Sequence, residues 1–100
     1  METVKDLLVK RIIGEIIISD HPGEIMRRWR EVFGITQLEM AEKLKISPSV
    51  ISDYEGGRRP NPGSMFIRRF VQSLTDIDST NEARVLKQFS SLVRTTPDAI

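Results

Sequence analysis

The sequence has no cysteine, and only one histidine, one tryptophan and one tyrosine in 100 residues. Without thiols there is no disulfide staple, no thiolate nucleophile and no cysteine-based zinc site. His21 alone cannot build a histidine-rich metal centre. Long apolar runs are missing as well. The longest, Ile12 to Ile18, is interrupted by Gly14 and Glu15, far short of the roughly 20 residues a bilayer requires. No basic segment followed by an apolar stretch and a small-residue cleavage site opens the chain. A soluble cytoplasmic protein is expected, with no membrane partner.

The residues that could be mistaken for catalysts fail on geometry. Ser19-Asp20-His21 holds the residue types of a hydrolytic triad, but neighbours in sequence cannot adopt triad geometry, so the stretch is expected to be a helix cap. Glu39 and Glu42 are accounted for by a cap and a solvated face. Gly56, Gly57 and Gly63 lack the Gly-Lys-Ser/Thr ending of a phosphate loop. No catalytic residue, metal ligand or cofactor is assigned, and an enzyme is not expected.

What is present is a modest apolar fraction, 39%, enough for one small core. The net charge of +1 is unevenly spread. Residues 22–74 carry nine Lys/Arg against six Asp/Glu, whereas the flanks 1–21 and 75–100 each carry three against four. A basic centre between acidic flanks hints at a polyanionic partner.

Apolar periodicity points to helices throughout. Val4, Leu8, Ile12 and Ile16 recur every fourth residue from Val4 to Ile18, with Leu7, Ile13 and Ile17 widening the face. The β-branched run from Ile12 to Ser19 leaves a strand as the competing reading. Ser19-Asp20-His21-Pro22 breaks the chain before a helix over 22–33, ended by Gly34, with Met26, Trp29, Arg30 and Phe33 on one face. Trp29 reads as core rather than as a stacking platform. Two short helices follow at about 37–44 and 48–55, then a loop, Gly56 to Gly63. A fifth helix runs from Ser64 to Leu74. Ser79 with Glu82 reads as a capping box opening a last helix that ends near residue 94.

The stretch TQLEMAEKLKISPSVISDYEGG holds two helix-start signals eleven residues apart. Thr36 with Glu39 makes a capping box, and Ser47 before Pro48 places a hydroxyl at the N-cap and proline where no N–H is needed. Met40, Leu44, Ile46, Ile51 and Tyr54 supply the inward side, and Ala41 is small where two helices must meet. The second helix is thus folded back steeply across the first, with Ser47, Pro48, Ser49, Ser52 and Asp53 projecting outwards. That is the geometry for entering a major groove about 12 Å wide.

Residues 24–74 resemble the Cro and phage-repressor type (XRE-like) helix-turn-helix domain. The stretch WREVFGITQLEMAEKL with SPSVISDYEGGRRPNPG is most similar to archaeal transcriptional regulators of that type. The resemblance implies an all-α, lambda-repressor-like helix-turn-helix bundle, here with an added N-terminal helix and a C-terminal helix. It implies a DNA-binding transcriptional regulator acting on double-stranded DNA. Residue by residue, it implies that Gln37 meets a phosphate at the start of the first motif helix. Ser49, Ser52 and Asp53 would face bases, with Ser47 and Pro48 at the tip. Gly63 and Ser64 would present backbone amides to phosphate, and Arg58, Arg59 and Asn61 would serve from the preceding loop. Arg30 and Glu55 would form a structural ion pair.

Two departures from the family pattern stand out. Lys45 occupies a turn position usually held by glycine, where a left-handed conformation costs roughly 1–2 kcal/mol; its charge could serve a phosphate. The reading face also lacks arginine, lysine, asparagine and glutamine, and Asp53 could accept only from a cytosine amine. Asp53 therefore reads equally as an arginine-paired surface carboxylate. Arg27-Arg28 and Arg68-Arg69 read as solvated helix faces. The expected organisation is an N-terminal helical extension over 1–21, the helix-turn-helix domain over 22–78, and a C-terminal helix and tail over 79–100 for dimerisation or linkage. A homodimer on a pseudo-palindrome is expected from the two added amphipathic helices. The alternative is a protein-interaction module on the same fold, a bridging coactivator or an antitoxin. The abrupt end at Thr96-Pro97-Asp98-Ala99-Ile100 leads to a further expectation, of a longer protein whose other domain senses an effector ligand.

Overall fold

The computed structural model describes residues 1–95, with side chains through Val93. These residues form α1 (Val4–Ile18), α2 (Pro22–Val32), α3 (Gln37–Leu44), α4 (Pro48–Glu55), α5 (Ser64–Thr80) and α6 (Arg84–Thr95), and no strand occurs among them. The competing strand at Ile12–Ser19 is not formed. Thr3 opens α1 with a reciprocal capping box to Asp6, and Gly14 meets no neighbouring atoms that a side chain would need.

A single core joins all six helices. Leu8, Ile12 and Ile16 of α1 are fully buried together with Met26, Met40, Ile51, Phe70 and Leu74. Each such burial contributes about 1.5–3 kcal/mol. The stripe on α1 is narrower than its sequence suggests, because Leu7 and Ile17 are exposed. α1 packs on α2, α5 and α6, while α3 sits between α4 and α5. Trp29 bridges α2 and α1, packing against the core while its indole N–H donates to Glu15 Oε1 at 2.8 Å.

Four helices end in the same way. In each, an amide just beyond the helix reaches back five residues to a carbonyl of its last turn. The bonds are Ile35 to Arg30, Ile46 to Ala41, Arg58 to Asp53 and Ala83 to Asp78, at 3.1, 3.0, 2.9 and 2.7 Å. The residue just before each donor must be left-handed: Gly34 and Gly57 satisfy this without strain, whereas Lys45 and Glu82 adopt φ of 60° and 67°. Lys45→Gly is accordingly expected to raise stability by about 1 kcal/mol, the relief exceeding glycine's greater freedom in the unfolded chain. A urea midpoint that failed to rise would show that the Lys45 backbone is not strained.

The C-terminal part corrects the sequence reading. α5 continues to Thr80 instead of stopping at Leu74, and Ser79 does not cap α6. Its hydroxyl donates to the Thr75 carbonyl at 2.9 Å, inside α5. Glu82 is not the third residue of a capped helix but part of a left-handed turn with Ala83. Asp78 does the capping: its buried carboxylate accepts from the Val85 and Leu86 amides at 3.2 and 2.9 Å. A buried acceptor one residue earlier outcompetes an exposed serine. The expected tail at 96–100 lies outside the described residues.

Two arginines also close helices other than their own. Arg69, expected on a solvated face, donates from α5 to the Leu44 carbonyl of α3 at 3.0 Å. Arg84 does the same from α6 to the Val32 carbonyl of α2 at 2.9 Å. Each satisfies an end carbonyl that has no partner within its own helix.

Candidate nucleic-acid interface

α3 and α4 are joined by Lys45, Ile46 and Ser47, and their starts are set by local chemistry. Thr36 accepts from the Glu39 amide at 3.0 Å while Glu39 accepts from the Thr36 amide at 2.8 Å. Ser47 accepts from the Ser49 amide at 3.3 Å, and the two hydroxyls are 2.9 Å apart. Beyond that cap α4 divides sharply. Ser47, Pro48 and Ser49 are exposed, Ile51 is buried, and Ser52 and Asp53 return to the outer side one turn later.

The far end of α4 is fastened by the most buried ion pair of the described residues. Arg30 Nε donates to Glu55 Oε2 at 2.7 Å and its Nη2 to Oε1 at 2.9 Å, a bidentate fork. Arg30 Nη1 donates to the Ile35 carbonyl at 2.7 Å, and Gln37 Nε2 adds a bond to Glu55 Oε1 at 2.9 Å. α2, α3 and α4 therefore meet on one carboxylate, and Arg30 ties the loop after α2 to the same cluster. The hydrogen bond to Glu55 raises the Arg30 pKa above its ordinary value, desolvation opposing it. Among the described residues no buried side-chain polar atom lacks a partner.

Gln37 thus has its amide nitrogen engaged internally, and the capping box leaves the exposed Glu39 carboxylate beside the same helix start. The start of α5 is more open. Gly63 is its N-cap, offering no side-chain acceptor to the first amides, and Asn61, Gly63 and Ser64 are exposed. Those amides are free to meet an anion. Lys45 is exposed at the turn.

Arg58 and Arg59 fold back onto α4. Arg58 Nε donates to Asp53 Oδ1 at 2.8 Å and its Nη2 to Ser52 Oγ at 3.0 Å. Arg59 lies 3.8 Å from Asp53 Oδ2 and 5.7 Å above the Tyr54 ring. The Asp53 carboxylate is thus paired with two guanidiniums and does not stand as a bare acceptor. Arg27, expected on a solvated helix face, is exposed and paired to Glu31 at 3.2 Å, and it borders a depression with Gln37, Ser52, Gly56 and Arg58. No cluster able to hold a metal ion occurs among the described residues, and none of their helices is long and apolar enough to cross a membrane.

Residues 23–76, which hold this constellation, match the model of a helix-turn-helix domain. The chain belongs to the XRE-type helix-turn-helix family. It is 41% identical over 93 residues to an uncharacterized HTH-type transcriptional regulator of Archaeoglobus fulgidus, covering 93% of this chain and 40% of that protein. It is also 41% identical over 86 residues to one of Methanocaldococcus jannaschii, covering 86% and 36%. This family member therefore spans well under half the length of both archaeal relatives. A shorter likeness, 44% identity over 36 residues, links it to endothelial differentiation-related factor 1 of Rattus norvegicus, covering 36% of the chain and 24% of that protein. No solved structure matches significantly. The family is one of DNA-binding regulators and is typically non-enzymatic.

Proposed function

We propose that this chain is the DNA-binding part of a cytoplasmic transcriptional regulator that inserts α4 into the major groove. The observation that carries the reading is the polarity of α4, an exposed start at Ser47-Pro48-Ser49 and an end locked by Arg30 and Glu55. A helix fixed at its base can hold its tip in a groove without losing orientation. Lys45, the α5 amides at Gly63 and Ser64, Asn61 and the Arg59 guanidinium supply phosphate contacts around it, with Gln37 at the edge.

The regulator acts as a homodimer on a pseudo-palindromic site. Support comes from the apolar depression lined by Arg11, Trp29, Phe89, Leu92 and Val93, where α1, α2 and α6 meet. Residues 22–80 make up the DNA-binding domain in this reading, flanked by the helical extension 1–21 and by α6. The greater length of the archaeal relatives supports the reading that the whole regulator carries a further domain. A mass of one chain in sedimentation at high micromolar concentration would refute the dimer.

The test of DNA binding is fluorescence anisotropy against duplex across a salt series. Binding should weaken with a log–log slope of about −0.9 per neutralised phosphate. Changing Arg58 and Arg59 together to glutamate should lower duplex affinity by about tenfold or more and flatten the slope by about one, for the Arg59 phosphate contact. A folded chain with no salt-sensitive duplex binding would overturn the reading. The second reading, a protein-interaction module such as a bridging coactivator or antitoxin, is favoured by a recognition helix without arginine, lysine, asparagine or glutamine. In that case the double glutamate change would abolish partner binding.

A further inference from the structure

We propose that Arg58, from the loop after α4, is the base-reading residue of this surface, selecting guanine, and that Asp53 and Ser52 hold its guanidinium in reading position. The proposal rests on the DNA-binding reading above. It resolves the shortage of base readers on α4, whose outward side offers serines and one aspartate.

The side chain is placed by several independent contacts. The Arg58 amide donates to the Asp53 carbonyl at 2.9 Å, part of the turn in which Gly57 adopts φ of 81°. That reversal brings the side chain back over the helix it follows. Nε and Nη2 are then held by Asp53 Oδ1 and Ser52 Oγ, at 2.8 and 3.0 Å. Nη1 rests against Gly56, where a Cβ would lie only 3.0 Å from it. Ser52 and Asp53 stand three and four residues after Ser49, so the guanidinium sits on the face of α4 that carries the exposed tip.

The chemistry follows from the edges of the group. Asp53 and Ser52 occupy the Nε side of the guanidinium. The outer N–H groups of Nη1 and Nη2 remain, a parallel donor pair that fits the O6 and N7 acceptors of guanine in the major groove. A carboxylate behind the arginine fixes its plane before DNA arrives, so less rotamer freedom is lost on binding. The Arg58 side chain is still 62% exposed. Arg59 differs. It lies over the Tyr54 ring, 3.8 Å from the other carboxylate oxygen, and serves as a phosphate contact.

Selection of binding sites from random duplex, followed by affinities for the selected site and for its single-base variants, tests this. The wild-type chain should select a guanine in each half-site and prefer it by about 5- to 150-fold over other bases. Arg58→Lys and Arg58→Ala should erase that preference and leave the remaining motif unchanged. Asp53→Asn should reduce the preference at the same position while binding random duplex as well as or better than wild type. Arg59→Ala should weaken all sequences alike. A preferred guanine that survives Arg58→Ala would overturn the proposal, as would an Arg58→Ala loss spread evenly over all sequences, which marks a phosphate contact. Uniformly tighter binding by Asp53→Asn with the preference intact would remove Asp53 from the positioning role. Failure of the wild-type chain to bind any duplex would instead overturn the underlying DNA-binding reading.

Discussion

Replacing Arg30 with methionine is expected to destabilise the domain by about 3–5 kcal/mol, the loss typical when one partner of a buried pair is removed. Glu55, whose side chain is 3% exposed, would lose both arms of its fork and keep only the Gln37 amide. The Ile35 carbonyl would lose its donor as well. The attraction between the charges is not the main quantity at stake, because burying two charges offsets much of it. The large effect comes from stranding one charge in a dry place. Arg30→Lys should lie between the two, since an ammonium cannot bond both carboxylate oxygens and the carbonyl from one plane. Replacing both partners with apolar residues should cost clearly less than the two single losses added together. Urea unfolding of the wild type, Arg30→Lys, the two single apolar variants and the double variant measures this. Equal, additive losses would show that the pair is not coupled.

The same substitution has a functional consequence. Domains of this size have total stabilities of about 5–15 kcal/mol, so a loss of this size would leave a weakly folded domain. What fraction stayed folded would hold α4 less firmly, because α2, α3 and α4 share the one carboxylate. The raised pKa of Arg30 means that the pair does not titrate from the basic side in the ordinary range. Its stabilisation is therefore flat there.

Local chemistry was readable from the residues wherever partner and signal lie within four positions. Thr36 with Glu39 and Ser47 with Pro48 set the starts of α3 and α4 through contacts that cross one turn. The bounds of both helices followed from them. The chain reversals after α2 and α4 were marked by Gly34 and Gly57 for the same reason. Longer relations were not readable from the residues alone, and the Arg30–Glu55 pair, 25 residues apart, was expected only through the family resemblance. Ser79 and Glu82 have the spacing of a cap, but nothing local shows that the Asp78 carboxylate is buried under α6 and bonds two of its amides. Arg69 and Arg84 look like solvated charges, because the carbonyls they satisfy are 25 and 52 residues away. Asp53 was balanced between a base contact and a paired carboxylate. The fold-back of Arg58 over Ser52, which depends on a turn three residues beyond Asp53, gives the paired form.

Gly23→Ala sets local propensity against tertiary packing with opposite signs. In an isolated helix the change would stabilise by up to about 1 kcal/mol, since alanine loses less backbone freedom than glycine. In this fold an added Cβ would lie 1.9 Å from the Tyr54 carbonyl oxygen, 2.9 Å from its carbon and 3.3 Å from the Glu55 Cα. These are backbone atoms, unable to swing aside as a side chain does. The Tyr54 carbonyl is also tied to the Gly57 amide at 3.2 Å, within the turn that ends α4. Either α2 must lift from α4 or that turn must open. Lifting α2 strains the Arg30–Glu55 fork two turns along the same interface, where donors and acceptors are only 2.7 and 2.9 Å apart. The packing term should win, with a net loss of about 3 kcal/mol, the upper end for overpacked sites. Because the displaced contact lies beneath the recognition helix, the folded fraction should also bind duplex more weakly, with its base preference blurred. A urea midpoint at or above that of the wild type would mean that α2 and α4 can separate freely. The firm anchoring of α4 would then have to be abandoned.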